Sequence, residues 1–278
     1  MIKIDNLSFG YKKKGLIFDN LSLNIDKGKV YGLLGKNGTG KTTLLYLLTG
    51  LLHPHSGKVT MNGTDVHERR TETLQQTFII PEEFELPNIS LKKYVEITAP
   101  FYPNFSYEQL NSCLDVFEMP ADIKFGELSM GQMKKAYICF ALATNTQLLV
   151  MDEPSNGLDI PSKSQFRKAI AMGMTDEKSV IISTHQVRDI DSLLDHVIII
   201  DGTNVLLDAT TIEICKHLYF GETDIKENDE QIIYSQPSVS GNCIVCTNNS
   251  NIESEINIEV LFNATLCQRE KIAAIFKK

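Results

Sequence analysis

A glycine-rich run between an apolar stretch and a leucine-rich stretch constrains this chain most. Residues 35–43 read Gly-Lys-Asn-Gly-Thr-Gly-Lys-Thr-Thr, which fits the pattern G-x-x-x-x-G-K-[ST]. The apolar run 30–34 before it is typical of a strand covered on both faces, and the leucines of 41–51 recur at helical spacing. The sequence therefore predicts a strand, a tight loop and a helix in immediate succession.

This order of elements builds a phosphate site. Glycines permit a loop whose backbone N–H groups turn inward onto a phosphate, and the start of the following helix adds partial positive charge. Lys41 would reach the β- and γ-phosphates, and the Thr42 hydroxyl would bind Mg²⁺. The residues that we expect at the nucleotide are Gly35, Lys36, Asn37, Gly38, Thr39, Gly40, Lys41, Thr42 and Thr43.

Charge and composition exclude several classes of protein. The 278 residues carry a net charge of −8, which lacks the basic footprint of a nucleic-acid binder. The N-terminal residues have no signal-peptide core, and no apolar run approaches the roughly 18 residues needed to span a bilayer. The 6 cysteines are too scattered for a disulfide scaffold. We therefore expect a cytoplasmic protein.

The rest of the chain follows an α/β pattern. Residues 1–9 and 21–25 alternate as half-buried strands do. The middle of the chain, 81–145, is rich in proline and aromatic residues and includes a helical pattern at 107–117. Buried-strand runs at 148–151, 180–183 and 197–200 alternate with helical patterns at 162–172 and 187–194, which predicts a parallel sheet covered on both faces.

The composition changes again after Asp208. Residues 221–258 are rich in acidic residues, Asn and Ser, with β-like runs at 231–234 and 243–247, and 261–275 has a mixed helical pattern. We interpret 209–278 as a small accessory module of unknown role. Cys243 and Cys246 lie within it, but a zinc site needs four ligands, so we expect no metal there.

An acidic pair, Asp152 and Glu153, ends the buried-strand run 148–151. An aspartate in this place can hold Mg²⁺ opposite a phosphate loop, and the adjacent glutamate is placed to orient or deprotonate an attacking water. In isolation such a pair is more often a helix cap or a solvated turn. Its meaning therefore depends on the motifs around it.

Those motifs resemble the ATP-binding cassette (ABC) ATPases. Residues 128–132 read Leu-Ser-Met-Gly-Gln, similar to the family's L-S-x-G-Q signature, and residues 155–159 resemble its D-loop. The resemblance covers residues 1–208. It implies a P-loop NTPase domain with an N-terminal antiparallel β-subdomain and a helical subdomain at about 82–145, followed by the C-terminal extension.

The resemblance also implies residue roles. His185, which follows a buried strand, matches the switch histidine that holds the γ-phosphate, and Glu153 would be the catalytic carboxylate. Tyr11 matches the aromatic that stacks on adenine, although alone it would read as a strand-end aromatic. The signature would contact the nucleotide bound by a second subunit, and the D-loop would link the two sites. These trans-acting residues are Ser129, Gly131, Gln132 and Asp159.

Glu82 departs from the family pattern. Members usually carry a glutamine after the strand that leads into the helical subdomain, and here Pro81 is followed by Glu82. A carboxylate can bind Mg²⁺, so we count Glu82 as a metal-ligand candidate with Thr42 and Asp152. Gln75 and Gln76 are the alternatives if the loop is shifted. The lysines after the signature, Lys134 and Lys135, resemble the family's positively charged helix start, although most members have arginine there. Taken alone, they would lie on a solvated helix face, which we expect.

As an ABC ATPase, the chain would bind ATP and Mg²⁺ and drive transport, with export favoured, on the inner face of the cell membrane. Its partners would be membrane-spanning permease subunits and a second copy of itself or a paralogous subunit. A soluble ABC ATPase acting on ribosomes or DNA is the alternative. Phe84 and Leu86 are candidate contacts for the permease, whereas the aromatic residues of 101–107 read equally as subdomain core.

Overall fold

The computed structural model describes residues 1–12, 15–223, 232–238, 241–249 and 252–276. Gln231, the first residue of one predicted β-like run, lies outside them. The strands are β1 (Ile2–Tyr11), β2 (Gly15–Ile25), β3 (Val30–Leu34), β4 (Ser56–Met61), β5 (Thr64–Asp65), β6 (Thr77–Ile80), β7 (Leu148–Asp152), β8 (Ser179–Thr184), β9 (His196–Asp201), β10 (Asn204–Thr210), β11 (Leu218–Thr223), β12 (Ile232–Ser238) and β13 (Gly241–Thr247). The α-helices are α1 (Lys41–Leu48), α2 (Thr71–Leu74), α3 (Leu91–Thr98), α4 (Tyr107–Val116), α5 (Met130–Ala143), α6 (Ile160–Gly173), α7 (Thr211–His217), α8 (Ile258–Cys267) and α9 (Arg269–Phe276).

A six-stranded sheet in the order β10-β9-β3-β8-β7-β6 forms the centre of the fold. Strands β9, β3, β8, β7 and β6 are parallel, and β10 pairs antiparallel with β9 at one edge. Because parallel strands end at the same edge of a sheet, the residues that follow β3, β7 and β8 lie together. The predicted α/β organisation is confirmed.

Apolar side chains cover both faces of this sheet. Val30 and Leu34 of β3 belong to one core, with residues of α5 and α6. Tyr31 and Leu33 belong to the other, with α1 and the N-terminal sheet. Successive side chains of a strand point to opposite faces, so a strand buried on both faces needs a continuous apolar run.

The N-terminal sheet has the order β2-β1-β4-β5, and its pairs are antiparallel. Ile4 of β1 pairs with Leu23 on one side and Val59 on the other, and all three are buried. The strands that the alternating patterns at 1–9 and 21–25 predict are confirmed, and they lie in the antiparallel β-subdomain that the family resemblance implies.

Helices α3, α4 and α5 fill the segment between β6 and β7 and pack around an aromatic core that includes Phe78, Tyr102 and Phe140. The aromatic residues of 101–107 divide between surface and core: Phe101 is 65% exposed and Tyr107 61%, while Tyr102 and Phe105 pack against the core.

The C-terminal residues form a three-stranded antiparallel sheet, β11-β13-β12, with α7, α8 and α9. Strand β10 runs through position 208, where the sequence suggests a domain boundary, and pairs with β9 of the central sheet. Among the residues described, no helix combines the length and apolarity needed to cross a membrane.

One predicted helix is wrong. The segment 187–194 forms two short 3₁₀ helices, Val187–Asp189 and Asp191–Leu193. Ile190 between them has φ −132° and ψ 0° and is fully buried. These backbone angles lie outside the helical region, so the two short helices do not join into one.

Lys178 carries a buried charge in the core beside the helical subdomain. It is 2% exposed, and its Nζ donates to Leu142 O at 3.1 Å and to Asn145 Oδ1 at 3.0 Å. Burial lowers the pKa of this lysine from 10.5 to about 8, since desolvation disfavours the charged form. The folded chain therefore holds this proton less tightly than the unfolded chain does.

The Lys178 shift predicts a pH dependence of stability. Between pH 8 and pH 10 the unfolded chain retains the proton that the folded chain loses, so the free energy of unfolding rises with pH. Relative to Lys178→Met, wild type should gain about 2–3 kcal/mol over this range, measured by urea unfolding. Lys168→Met, at an exposed lysine of α6, serves as the control. A Lys178→Met profile parallel to that of wild type would contradict this account.

Candidate functional site

The loop 35–43 takes a conformation that needs glycine at defined positions. Gly38 and Gly40 have φ of 82° and 100°, in the region that side-chain-bearing residues rarely adopt. A Cβ on Gly40 would also lie 2.6 Å from Ile17 Cγ2, and one on Gly35 would lie 2.5 Å from Thr39 Oγ1. The loop therefore closes between β3 and α1 in a form that other residues would disrupt.

Lys41 lies inside this loop. Its Nζ donates to Gly35 O at 2.8 Å and to Lys36 O at 3.4 Å, and lies 3.7 Å from Glu153 Oε1. The residue is 6% exposed. The ammonium group is thus buried against carbonyl oxygens, where a phosphate would offer a stronger, charged acceptor.

The first turn of α1 is joined to the end of β7. Thr42 Oγ1 donates to Asp152 Oδ2 at 2.6 Å, and Ser183 Oγ donates to the other carboxylate oxygen of Asp152. Asp152 is 1% exposed and forms no ion pair within the described residues. A buried carboxylate without a cation is costly, and a hydroxyl beside a carboxylate is a suitable donor set for Mg²⁺.

Ser183 is a site residue whose contacts the sequence did not reveal. It pairs directly with Asp152 in the register of β8 and β7, which places its hydroxyl against the carboxylate. The sequence did contain a signal. Ser183 is a small hydroxyl residue near the end of one buried apolar strand, and Asp152 ends another; if the two strands are neighbours, the hydroxyl and the carboxylate lie side by side.

Glu153 has a strained backbone with φ 45°. Its N–H donates to Ser183 Oγ at 3.2 Å, and its carboxylate Oε1 lies 2.9 Å from His185 Nδ1. Glu153 is buried, whereas the His185 side chain is 38% exposed. The turn after β7 thus aims Glu153 at the histidine that follows β8.

These groups line one cavity of about 540 Å³. Tyr11 lies at its rim, 43% exposed, with its hydroxyl 3.5 Å from Thr43 Oγ1 and its ring edge-to-face with Phe9. The full lining is Tyr11, Leu16, Ile17, Asn37, Gly38, Thr39, Gly40, Lys41, Thr42, Thr43, Glu82, Asp152, Glu153, His185 and Gly202. The fold therefore brings most of the site residues expected from the sequence around one opening.

The signature residues lie outside this cavity. Ser129 begins α5, with its Oγ accepting from Gln132 N at 3.3 Å and its own N–H donating to Gln132 Oε1 at 3.0 Å. A Cβ on Gly131 would lie 3.3 Å from Gly157 O, so the signature touches the D-loop segment. This arrangement leaves the N-terminal end of α5 at the surface.

Asp159 also lies outside the cavity. It begins α6, and its Oδ1 accepts from Ser162 N at 2.9 Å. The Ser162 hydrogen bonds lower the pKa of the Asp159 carboxyl. Two large apolar side chains flank the two helix starts, with Met130 67% and Ile160 85% exposed.

The expectation of a solvated Lys134 is wrong. Lys134 is 5% exposed, and its Nζ donates to Asn156 O at 2.9 Å and to Glu153 O at 3.4 Å. Burial lowers its pKa. Lys134 therefore holds the backbone of the loop that carries Glu153. The neighbouring Lys135 donates to Gln165 Oε1 at 3.4 Å.

Glu82 belongs to a chain of polar side chains that the sequence did not predict. Asn156 Nδ2 donates to Glu82 Oε1 at 3.1 Å, and Gln186 Nε2 donates to Asn156 Oδ1 at 3.2 Å. Lys163 Nζ in turn donates to Gln186 Oε1 at 3.2 Å. This series of hydrogen-bonded side chains connects the segment after β6, the loop after β7 and the turn after His185.

The alternatives to Glu82 lie at the other end of β6. Gln75 and Gln76 precede the strand, and Gln76 Oε1 accepts from Asn62 Nδ2 at 3.3 Å. Neither residue lines the cavity, whereas Glu82, beyond the carboxyl end of β6, does.

Residues 18–156 match the protein family described as ABC transporter. The chain is 27% identical over 231 residues to the ABC transporter ATP-binding protein YtrB of Bacillus subtilis, covering 81% of this chain and 78% of the relative. It is 30% identical over 213 residues to the bacitracin transport ATP-binding protein BcrA of Bacillus licheniformis, covering 74% and 68%. It is 29% identical to a Nod factor export ATP-binding protein of Burkholderia lata, covering 67% of this chain and 63% of that relative.

The fold is shared with solved structures. A dimeric ATP-binding cassette in a post-hydrolysis state, bound to ADP and Pi, superposes with a TM-score of 0.66 at 24% identity. The match covers 76% of this chain and 98% of that one. The P-loop fold with its helical subdomain, expected from the motifs, is therefore confirmed.

Proposed function

The chain belongs to the ABC transporter family as one of its ATP-binding subunits, and on that premise we propose that it hydrolyses ATP to drive transport through separate membrane-spanning subunits. The main support for the proposal is one cavity whose lining includes residues 37–43 of the loop, Asp152, Glu153 and His185. Export is the favoured direction, because one of the relatives bears the name of a Nod factor export protein.

The loop and α1 bind the phosphates. The N–H groups at the start of α1 and the ammonium of Lys41 supply positive charge where the phosphates enter. Lys41 exchanges its contacts with Gly35 O and Lys36 O for phosphate oxygens. Tyr11, exposed at the rim, offers its ring to the adenine.

Thr42 and Asp152 would hold Mg²⁺, with Glu82 as a third candidate at the same cavity. When bound, such an ion would neutralise charge that develops on the transferred phosphoryl group. Ser183 orients the Asp152 carboxylate by donating to it.

Glu153 activates the attacking water, and His185 holds the γ-phosphate. The carboxylate accepts the water's proton, and its contacts with Lys41 and His185 fix its orientation. Lys134 and the Ser183 hydroxyl hold the backbone of Glu153 in place. Catalysis then results from positioning of the attacking water and the γ-phosphate, together with electrostatic stabilisation of the transferred phosphoryl group.

A second copy or a paralogous subunit completes the site. Ser129, Gly131 and Gln132 lie outside this chain's own cavity, at the exposed start of α5. The N-terminus of a helix suits a phosphate that another subunit holds, and Asp159 lies beside it on the D-loop. The dimeric cassette bound to ADP and Pi supports this arrangement.

Glu153→Gln tests the catalytic assignment. The amide keeps the size of the carboxylate but cannot accept the proton, so ATP should still bind while the rate of hydrolysis falls by about a hundredfold or more. The dimer should then accumulate with ATP, as measured by size-exclusion chromatography. Hydrolysis at the wild-type rate would remove Glu153 from the role of general base.

Glu82→Gln tests the unusual carboxylate. The amide oxygen can still accept from Asn156, but one negative charge near the γ-phosphate is lost. We expect the Mg²⁺ or ATP dependence of turnover to shift by about tenfold, which corresponds to about 1.4 kcal/mol. Glu83→Gln, at the adjacent exposed carboxylate, is the matched control. Identical titrations of wild type and Glu82→Gln would make Glu82 a loop residue without a metal role.

The membrane subunit docks at an apolar groove of about 260 Å³ between the central sheet and the helical subdomain. Leu51, 49% exposed, and Leu74, 38% exposed, line it together with Tyr102 and Tyr137. Phe84, the contact expected from the sequence, packs on Tyr137 with ring centroids 4.7 Å apart. Phe84 thus does not line the groove but contacts Tyr137, which does. Docking there puts the chain on the inner face of the cell membrane.

Leu74→Asp tests this surface. A charge in the groove should weaken co-purification with a membrane-spanning subunit from detergent-solubilised membranes. ATP hydrolysis by the isolated chain should stay within about twofold, because Leu74 does not line the nucleotide cavity. Ile212→Asp, at an 80% exposed position of α7, is the control. Equal recovery of the membrane subunit with both variants would rule out the groove, and recovery of ribosomes or DNA with wild type would favour the soluble alternative.

A further inference from the structure

The turn that follows His185 is packed against the C-terminal module, defined here as the described residues from 211 to 276. Val187 is 7% exposed and belongs to the same apolar core as Ile258 and Val260 of α8. The turn 187–189 is in contact with α8, an element remote in sequence from the nucleotide loop.

An ion pair accompanies this packing. Arg188 Nε contacts Glu259 Oε2 in the first turn of α8, and the arginine side chain is 81% exposed. An exposed pair adds little to global stability, but it links the turn directly to the first turn of α8. The turn and the start of α8 also line one cleft of about 470 Å³ together, with Val187 and Arg188 on one side and Glu259 on the other.

The other side of the same turn is bonded to the catalytic loops. Gln186 Nε2 donates to Asn156 Oδ1 at 3.2 Å, and Lys163 Nζ lies 2.8 Å from Asp189 Oδ2. Residues 186–189 are thus held between α8 on one side and the loop after Glu153 on the other. His185 immediately precedes them, and its Nδ1 lies 2.9 Å from Glu153 Oε1.

We propose that the C-terminal module positions His185: α8, through Val187 and Arg188, sets the place of the turn and thereby the place of the histidine against Glu153. The proposal rests on the proposed function in one respect, since it takes His185 to act on the γ-phosphate. Val187 and Arg188 are positioning residues, and they touch no reacting atom. Displacing the turn should weaken an interaction made in the transition state, which lowers kcat with little effect on KM.

A charge-swap series tests the contact. Arg188→Glu and Glu259→Arg each replace attraction by repulsion, and the double variant restores an opposite-charge pair. Amide hydrogen exchange of residues 186–194, measured without nucleotide, should rise in each single variant and return toward wild type in the double variant. The kcat for ATP should fall by about threefold or more in the single variants, with KM within about twofold, and should recover in the double variant.

Arg269→Glu is the matched control. Arg269 of α9 pairs with Asp201 at the end of β9, so its reversal disturbs another ion pair between the module and the central sheet. It should leave kcat and the exchange of residues 186–194 near wild type. An equal loss of kcat in Arg269→Glu would mean general loosening of the module and would overturn the proposal.

Unchanged exchange in both single variants, or a double variant no better than the worse single variant, would also overturn it. If a reversal prevents folding, Glu259→Gln removes the ion pair without repulsion and is measured in the same way. Absence of ATP hydrolysis in wild type would contradict the proposed function instead. The exchange measurement would then still decide whether α8 holds the turn.

Discussion

The hydrogen bond from Thr42 Oγ1 to Asp152 Oδ2 joins the start of α1 to the end of β7 across the strand β8 that separates β3 from β7. It exists because parallel strands deliver their carboxyl ends to one edge of the sheet. Lys41 and Glu153 meet at the same place, 3.7 Å apart and both buried. Each of these charges is removed from water, which costs free energy unless other charges or dipoles compensate. The site is therefore assembled in advance, with its groups held before any phosphate arrives.

The charges of this cluster explain what it can accept. Lys41 supplies one positive charge, and Asp152 and Glu153 supply two negative charges within the cavity. A nucleotide alone would add more negative charge near the two carboxylates. A nucleotide accompanied by Mg²⁺ would add positive charge as well as negative charge. Glu82 adds a further carboxylate to the lining of the cavity. Asn156 donates a hydrogen bond to it, so on the proposed function a cation held at Glu82 would be linked to the loop that follows Glu153.

The sequence predicted what depends on local spacing. Glycine's torsional freedom indicates the tight loop 35–43. Strand periodicity indicates the central sheet, and the order of residues along the chain puts the acidic pair at the end of β7. The sequence did not predict the burial of Lys134, because a lysine near a helix start reads as solvated until the loop that covers it is known. The sequence also did not predict the hydrogen-bonded series from Glu82 through Asn156 to Gln186, because its members come from separate segments. The break in the helix expected at 187–194 lies at Ile190, whose non-helical backbone angles no local sequence pattern indicates.

The proposed function requires that this cavity bind ATP together with Mg²⁺ through Lys41, Thr42 and Asp152. Calorimetric titration of the wild-type chain with a non-hydrolysable ATP analogue measures this binding, performed with Mg²⁺ and with chelator, and repeated on Asp152→Asn. We expect saturable binding by wild type that is stronger with Mg²⁺, and loss of that Mg²⁺ dependence in Asp152→Asn. Binding by wild type that is indifferent to Mg²⁺, or no binding at all, would contradict it.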